Sequence, residues 1–233
     1  MRLVVISDTH GFHVGMDIPD GDVLVHCGDW TRGYGSDKDT QKFAEWLGGL
    51  PHKHKLVVPG NHDHEDLMGT DGWIEQSGAK MLGLAGHGTE IDGLRFDGGP
   101  WMPMSGHVPS YSFERDDRWR ELRWSTLQVC DVLITHCPPF GILDYARKAS
   151  KHSAYKDDRA RHLGCERLLE RVKELSPRYH FFGHVHEARG VEKHGPTTFV
   201  NASNCTRQSF ERDDESGITH MTMSIRDAMV FDI

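Results

Sequence analysis

Short runs of apolar, largely β-branched residues recur along the chain, and they restrict its fold more than any other feature. The runs are nearly continuous, which is typical of strands covered on both faces. Stretches with helical signals lie between them. This alternation predicts an α/β domain. The predicted strands cover residues 3–6, 23–25, 56–58, 132–135, 179–182 and 198–200, with a terminal pair around 218–224 and 228–231.

Four segments carry helical signals. The segment 36–47 opens on Ser36, whose hydroxyl can cap a helix N-terminus. The segment 159–175 is followed by Pro177, which cannot continue a helix. The other two predicted helices cover residues 71–77 and 116–127. Two stretches that contain proline and glycine are long for plain connections and are candidate substrate-facing loops, namely 98–115 and 138–158.

The length of the chain allows one domain with a buried core, so we expect a single domain over residues 1–233. The first apolar run is too short for a signal peptide, and no later run reaches membrane-spanning length, so no membrane partner is expected. Five cysteines without a Cys-x-x-Cys pair argue against a disulfide framework and a zinc-thiolate site. These features predict a cytoplasmic location.

The balance of charges bears on the substrate. The chain has 27 lysines and arginines against 35 aspartates and glutamates, a formal net charge of −8. An acidic protein repels polyanions, which makes a long nucleic acid an unfavourable substrate. A small phosphate ester, for example a nucleotide, is not excluded. The sequence leaves the oligomeric state open.

Residues with metal-binding side chains directly follow five of the predicted strands. The chain has 17 histidines, and imidazole is the commonest transition-metal ligand. Because loops at the carboxyl ends of neighbouring strands converge, we expect these side chains to meet in one site. They are Asp8 and His10 after the first run, Asp29 after the second, Asn61 and His62 after the third, His136 after the fourth, and His184 and His186 after the fifth.

Without His62, the set contains two carboxylates, one amide and four imidazoles. This mixture of nitrogen and oxygen donors suits Mn, Fe, Zn or Co. Seven ligands are too many for one catalytic ion with an open position, so they predict two divalent ions sharing a carboxylate, with Mn²⁺ the ion we expect to support activity in vitro. Two ions about 3.5–4 Å apart can activate a shared water and stabilise charge on a phosphoryl group. The set predicts hydrolysis of a phosphate ester.

The leaving oxygen of such an ester needs a proton. His62 is the histidine of these motifs that coordination does not require, so we assign it as general acid. Two aromatic residues of the first long loop, Trp101 and Tyr111, could stack on a flat group of the substrate beside Asn61 and His62. The alternative is that these aromatic side chains pin the loop to the domain.

Together the motifs resemble the calcineurin-like metallophosphoesterase superfamily, and within it the metallophosphoesterase-domain-containing branch. The resemblance implies a four-layer αββα sandwich with two mixed β-sheets between helices. The motifs that carry it are Asp8-x-His10, Gly28-Asp29, Gly60-Asn61-His62-Asp63, His136 and Gly183-His184-x-His186.

The resemblance also implies how the ligands are shared between two metals. Asp29 is the bridge, and His62 is again the proton donor. One metal would be held by Asp8, His10, Asp29 and His186, and the other by Asp29, Asn61, His136 and His184.

Two departures from the superfamily matter for function. Phosphoprotein phosphatases have an aspartate three residues after the bridging one, where this chain has Arg32, and this disfavours a phosphoprotein substrate. Mammalian members of the branch have glycine at the position of His184, so a chain that keeps this ligand should be the more active form.

These patterns leave three functional hypotheses. The leading one is a phosphodiesterase for small diesters such as cyclic nucleotides. The alternatives are a phosphomonoesterase for a nucleotide or sugar phosphate, and a nucleotide-binding regulator with vestigial activity.

Overall fold

Strands and helices alternate along most of the chain, whose computed structural model describes residues 1–33, 35–64, 72–84, 88–104, 106, 108–147, 157–212 and 219–233, with the backbone alone for 207–212 and 219–223. The strands are β1 (Arg2–Ile6), β2 (Val23–His26), β3 (His54–Val57), β4 (Lys80–Met81), β5 (Thr89–Ile91), β6 (Leu94–Gly99), β7 (Met102–Pro103), β8 (Glu114–Arg115), β9 (Val132–Thr135), β10 (Tyr179–Phe182), β11 (Gly190–His194), β12 (Thr197–Asn201), β13 (Cys205–Arg212), β14 (Thr219–Ile225) and β15 (Met229–Asp232). The α-helices are α1 (Asp37–Gly48), α2 (Trp73–Gln76), α3 (Asp117–Ser125) and α4 (Glu166–Leu175).

Most of the strands belong to two mixed sheets. The first has the order β15-β1-β2-β3-β4, and the second has the order β11-β12-β10-β9-β6-β5. The inner pairs of both sheets are parallel, whereas β15, β11 and β5 join antiparallel. A short parallel pair, β7 with β8, and an antiparallel hairpin, β13 with β14, stand apart from them.

The faces of the sheets divide the core into two clusters. Successive side chains of a strand point to opposite faces, so Leu3 and Val5 of β1 pack between the sheets, in one cluster with Val132 of β9. Val4 of β1 lies on the outer face, in a cluster that includes Phe43 of α1. The predicted α/β fold with two mixed sheets is confirmed. No helix among the described residues has both the length and the hydropathy to span a lipid bilayer.

The helix caps agree with the sequence in two cases. Ser36 precedes α1 and its side chain accepts a hydrogen bond from the backbone N–H of Asp39. Asp116 caps α3 in the same way through Trp119. Each cap satisfies a backbone N–H group of the first turn, which has no partner within the helix.

The predicted helix over 159–175 is wrong in its first part. Residues 158–161 form a 3-10 turn, and α4 begins only at Glu166, capped by the side chain of Cys165. At Gly164 a Cβ would lie 2.7 Å from the carbonyl oxygen of Pro139, so the chain passes too close to another loop to continue a helix there. Contact with residues distant in sequence overrides the local helical signal.

Several strands and loops also differ from expectation. Five strands outside the predicted loops were not predicted, namely β4, β5, β6, β11 and β13, and the first long loop contains β7, β8 and the end of β6. The predicted terminal pair does not form, because β15 joins β1 while β14 pairs with β13. In the second long loop, residues 148–156 lie outside the described residues.

The buried imidazole of His180 makes stability dependent on pH. Its side chain is inaccessible to solvent, and burial lowers its pKa to about 3. Below the ordinary pKa of about 6.5 the unfolded chain binds a proton at this residue that the folded chain does not bind. The free energy of unfolding therefore decreases as the pH falls. This one residue should destabilise the protein by about 1 kcal/mol between pH 7.5 and 5.5.

The test is denaturant unfolding of the metal-free protein at both pH values, with His180→Gln as the comparison. Glutamine keeps a donor for the hydroxyl of Thr135, 2.8 Å from Nε2 of His180, but it does not titrate. We expect the variant to lose about 1 kcal/mol less than the wild type between the two pH values. Equal losses in the two proteins would contradict the prediction.

Candidate metal centre

The seven predicted ligands lie beyond the carboxyl ends of five parallel strands. Asp8 and Asp29 follow β1 and β2, Asn61 follows β3, His136 follows β9, and His184 and His186 follow β10. The ends of β1, β2 and β3 belong to one sheet and those of β9 and β10 to the other. The site therefore spans the edge where both sheets end.

One group of ligand atoms comes from Asp8, His10 and His186, one atom from each, all within 4.8 Å of one another. Nε2 of His186 lies 3.2 Å from Oδ1 of Asp8 and 3.2 Å from Nε2 of His10. A carboxylate and two imidazoles that converge in this way form a donor set suited to a divalent transition metal.

A second group is formed by Asp8, Asp29 and His136, again within 4.8 Å of one another. The amide oxygen of Asn61 lies 3.0 Å from Nε2 of His136 and 3.0 Å from Nδ1 of His184. The structure thus brings all seven predicted ligands together in two adjoining groups.

Asp29 lies between these groups. Its Oδ2 is 3.9 Å from Nε2 of His10, in the first group, and 3.4 Å from Nε2 of His136, in the second. Its Oδ1 accepts a hydrogen bond from the backbone N–H of His62. This position supports the predicted bridging role of Asp29.

Hydrogen bonds to the backbone prepare two of the imidazoles for a metal. Nδ1 of His10 lies 3.0 Å from the carbonyl oxygen of Thr31, and Nδ1 of His136 lies 2.8 Å from that of Cys27. A carbonyl can only accept, so Nδ1 carries a proton, and Nε2 is the nitrogen that faces the site and would bind an ion in the neutral imidazole. The donor set and its tautomers therefore fit two metal ions.

The charges of the site suit cations as well. Burial opposes ionisation of Asp8, but the hydrogen bond and charge of His186 outweigh it and hold the pKa of Asp8 well below its usual range. Burial likewise opposes ionisation of Asp29, and His136 lowers its pKa. Burial lowers the pKa of His184 to about 3, which leaves it neutral. Both carboxylates are thus ionised at neutral pH.

Four ligands have a left-handed backbone, which side chains other than glycine adopt at a cost. Asp8 has a φ of 54°, His10 of 43°, Asp29 of 60° and His184 of 70°. Such angles re-aim the chain directly after a strand and point the side chain into the crevice. Backbone strain of this kind is concentrated at functional sites.

Two glycines allow the backbone to approach the carboxylates. A Cβ on Gly60 would lie 2.2 Å from Oδ1 of Asp29, and one on Gly183 would lie 2.2 Å from Oδ2 of Asp8. Both distances are shorter than any van der Waals contact. A side chain at either position would push a predicted ligand out of place.

Sequence reasoning missed the residues that support the ligands. Asp63 accepts hydrogen bonds from the backbone N–H groups of Asp29, Thr31 and Gly60. Ser203 donates its hydroxyl to Asp8 over 2.8 Å. Asp63 could have been suspected from its place in the Gly60 to Asp63 motif. Nothing in the sequence distinguishes Ser203 from an ordinary residue after a strand.

His62 lies beside the two groups of ligands. Its ring is 5.1 Å from that of His10, measured between centroids. Nδ1 makes a short hydrogen bond to the carbonyl oxygen of Gly33, so Nδ1 carries the proton and Nε2 remains for another partner. The carbonyl of Gly33 therefore orients His62, and no carboxylate is needed for this. Arg32, at the position of the phosphatase aspartate, instead donates from Nε to the carbonyl oxygen of His10 and stacks on Phe12.

The two aromatic residues predicted to contact substrate have different surroundings. Tyr111 is partly exposed and packs edge-on against His62, with ring centroids 5.3 Å apart. Trp101 is buried and packs against Trp119 at 4.3 Å and Phe113 at 5.8 Å. Tyr111 is thus beside the predicted acid, whereas these contacts of Trp101 anchor the loop.

Several known proteins are similar to this chain over most of its length. The model of the family described as calcineurin-like phosphoesterase matches residues 1–188. The UPF0046 protein K07C11.7 of Caenorhabditis elegans is 38% identical over 89% of this chain and 71% of its own length. Metallophosphoesterase domain-containing protein 1 of Homo sapiens is 35% identical over 88% of this chain and 66% of its own length.

Solved structures show the same fold at low sequence identity. Phosphopantetheinyl hydrolase of Mycobacterium tuberculosis superposes with a TM-score of 0.57 at 15% identity, covering 87% of this chain and 88% of that one. The protein TT1561 of Thermus thermophilus has a TM-score of 0.56 at 13% identity, covering 95% and 98% of the two chains. All seven ligands and His62 lie within the residues that the family model matches.

Proposed function

We propose that this chain, which belongs to the calcineurin-like phosphoesterase family, is a phosphodiesterase for small diesters such as cyclic nucleotides. Members of the family hydrolyse phosphoric esters with two metal ions. The observation that supports this most directly is the convergence of seven ligands beside His62. The proposed metals are two divalent transition-metal ions, with Mn²⁺ the ion of choice in vitro.

The proposed division of labour follows the two groups of ligands. Asp8, His10 and His186 would hold one ion, Asn61, His136 and His184 would hold the other, and Asp29 would be the ligand that the two ions share. When bound, the ions lower the pKa of a water and offset charge on the phosphoryl oxygens. The ionised carboxylates, the fixed imidazole tautomers and the left-handed turns present the donor atoms before an ion arrives.

His62 supplies the proton for the leaving oxygen in this proposal. The hydrogen bond from Nδ1 to the Gly33 carbonyl fixes the ring, and Nε2 carries the proton that is transferred. The backbone N–H of His62 donates to Asp29 at 2.8 Å, which ties the acid to the bridging carboxylate. The ring is thus fixed beside the ligands, where a general acid has to lie to reach the leaving oxygen of a metal-bound ester.

The net charge and Arg32 support a diester over a monoester or a phosphoprotein. A phosphomonoester carries nearly two negative charges at neutral pH, and a diester carries one. The chain has a formal net charge of −8, which suits the substrate of lower charge. Arg32, which stands where phosphoprotein phosphatases have an aspartate, donates to the carbonyl oxygen of His10.

Tyr111 offers a surface for the rest of the substrate. It is partly exposed and lies against the ring of His62, so a flat group bonded to the leaving oxygen would reach it. The proposed substrate contacts are therefore Asn61, His62 and Tyr111. A nucleobase has the shape and π-surface to stack there.

The cysteines bear on the proposed location. All five are free and buried, which is expected of a protein from a reducing compartment. This supports the proposal that the protein acts in the cytoplasm. A single domain over residues 1–233 remains a prediction.

The experiment that tests the function is a substrate panel with Mn²⁺-loaded protein. It compares 2′,3′- and 3′,5′-cyclic nucleotides and bis(p-nitrophenyl) phosphate with p-nitrophenyl phosphate and nucleoside monophosphates. We expect kcat/KM for the best diester to exceed that for the best monoester by at least about tenfold, or about 1.4 kcal/mol in the transition state. Chelated protein is the control.

The outcomes separate the alternatives. Cleavage of monoesters without cleavage of any diester would make the protein a phosphomonoesterase. Tight binding of two Mn²⁺ ions and of a nucleotide, without turnover of any substrate, would favour a nucleotide-binding regulator.

A further inference from the structure

The part of the chain after the residues matched by the family model reaches back to the metal ligands. The match ends at residue 188, and the chain continues through β11 and β12 to Ser203. The hydroxyl of Ser203 lies 2.8 Å from Oδ2 of Asp8, and neither side chain is accessible to solvent. A neutral donor thus contacts a ligand that belongs to both groups of ligand atoms.

This contact decides which oxygen of Asp8 is available. Oδ2 accepts from Ser203, whereas the backbone N–H of His184 lies 3.1 Å from both oxygens and does not distinguish them. Oδ1 lies 3.2 Å from Nε2 of His186. With Oδ2 bound to Ser203, the carboxylate is held so that Oδ1 faces the imidazoles. Without the hydroxyl, the carboxylate could rotate and present either oxygen.

Ser203 is itself fixed on several sides. Its backbone N–H donates to the side-chain oxygen of Asn201 at 3.1 Å, and its carbonyl oxygen accepts from Arg189 at 3.0 Å. The side-chain oxygen of Asn204 accepts from the backbone N–H of Ser7 at 2.9 Å, beside a parallel bridge between Ser7 and Ser203. The hydroxyl is therefore aimed at Asp8 by a rigid segment.

A second contact from the same part of the chain supports another ligand. Arg226 donates to the carbonyl oxygen of His186 at 3.2 Å. Asp8 and His186 both belong to the first group of ligand atoms. In the proposed division of the ligands both residues hold the first ion, so the segment after residue 188 acts on the ligands of that ion.

We propose that Ser203 is a positioning residue for Asp8 and that it sets the affinity of the first metal site. This inference rests on the proposed two-metal function, because it assumes that the first group of ligand atoms binds an ion. Hydrogen-bond partners of metal ligands typically change metal affinity by about 10- to 100-fold when they are removed. Ser203→Ala should therefore weaken the binding of one of the two ions by this factor.

The test is calorimetric titration of metal-free protein with Mn²⁺, which needs no substrate. We expect the wild type to bind two ions, and Ser203→Ala to bind one with the wild-type Kd and the other about 10- to 100-fold more weakly. Ser203→Thr keeps the hydroxyl and should restore the affinity. The matched control is Ser7→Ala, which removes another fully buried hydroxyl beside Asp8, one that lies 3.4 Å from the carbonyl oxygen of Gly28.

Unfolding of the metal-free proteins separates positioning from stability. Ser203→Ala and Ser7→Ala should have similar denaturant midpoints, while Ser203→Ala alone binds the ion weakly. Wild-type affinity for both ions in Ser203→Ala would overturn the proposal, as would equal weakening in Ser7→Ala. If Ser203→Ala does not fold, Ser203→Cys decides by the same titration, since a thiol is a weaker donor of similar size. A wild type that binds no Mn²⁺ would instead refute the proposed function.

Discussion

Replacing His62 by glutamine is expected to slow hydrolysis of a diester with an alkoxide leaving group by about 10²–10⁴-fold while both metal ions stay bound. The imidazole lies outside the two groups of ligand atoms, and its Nδ1 hydrogen bond to Gly33 leaves Nε2 to serve the leaving oxygen. Glutamine keeps a polar side chain of similar length but cannot transfer a proton. The backbone N–H that donates to Asp29 is unchanged.

The choice of leaving group makes this prediction specific to an acid. A p-nitrophenolate leaves without protonation, so His62→Gln should lose far less activity on bis(p-nitrophenyl) phosphate than on a cyclic nucleotide. His64→Gln is the matched control, because His64 is a neighbouring histidine that pairs with Asp37 at 3.5 Å. Equal losses on both substrates, or loss of Mn²⁺ from His62→Gln, would show that His62 is not the proton donor.

Gly183→Ala is expected to remove metal binding and turnover together. The added Cβ would lie 2.0 Å from the hydroxyl oxygen of Ser7 and 2.2 Å from Oδ2 of Asp8. Neither group can retreat, because both are fully buried. We expect the free energy of unfolding to fall by about 1–3 kcal/mol, the usual effect of overpacking. Calorimetric Mn²⁺ titration and denaturant unfolding measure the two effects.

The matched control is Gly15→Ala. A Cβ on Gly15 would have no atom within 4 Å, and its backbone is not left-handed. Alanine there should leave metal binding unchanged and alter stability by less than about 1 kcal/mol, through the entropy of the unfolded chain. If Gly183→Ala bound two ions with wild-type Kd, the close approach of the backbone to Asp8 would not be a requirement of the site.

The sequence predicted the parts of the fold that depend on local pattern. The runs that became β1, β9 and β10 are mostly apolar, because each is covered on both faces, and this signal can be recognised without knowledge of the fold. β6 was missed because its residues Asp97, Gly98 and Gly99 do not form an apolar run. The interrupted helix before α4 was missed because the contact of Gly164 with Pro139 joins segments distant in sequence.

The candidate site likewise has parts that the sequence predicts and parts that it does not. Its ligands could be named because donor residues directly after strands form a pattern that is read along the chain. The partners of those ligands could not, because Ser203 and Asp8 are 195 residues apart. An orienting partner for His62 could not be named from the sequence either. In the structure the carbonyl of Gly33 has this role. Every residue has a backbone carbonyl, so the sequence does not show which one lies beside His62.

The left-handed backbone at His184 bears on how such a site can be lost in evolution. Its φ of 70° is one that glycine adopts freely, while other residues pay about 1–2 kcal/mol for it. Substitution by glycine therefore removes a ligand and relieves backbone strain in a single step. Where selection for catalysis is relaxed, glycine is therefore the substitution that the backbone conformation favours at this position. A histidine here carries a conformational cost, which agrees with the proposed role of its side chain as a metal ligand.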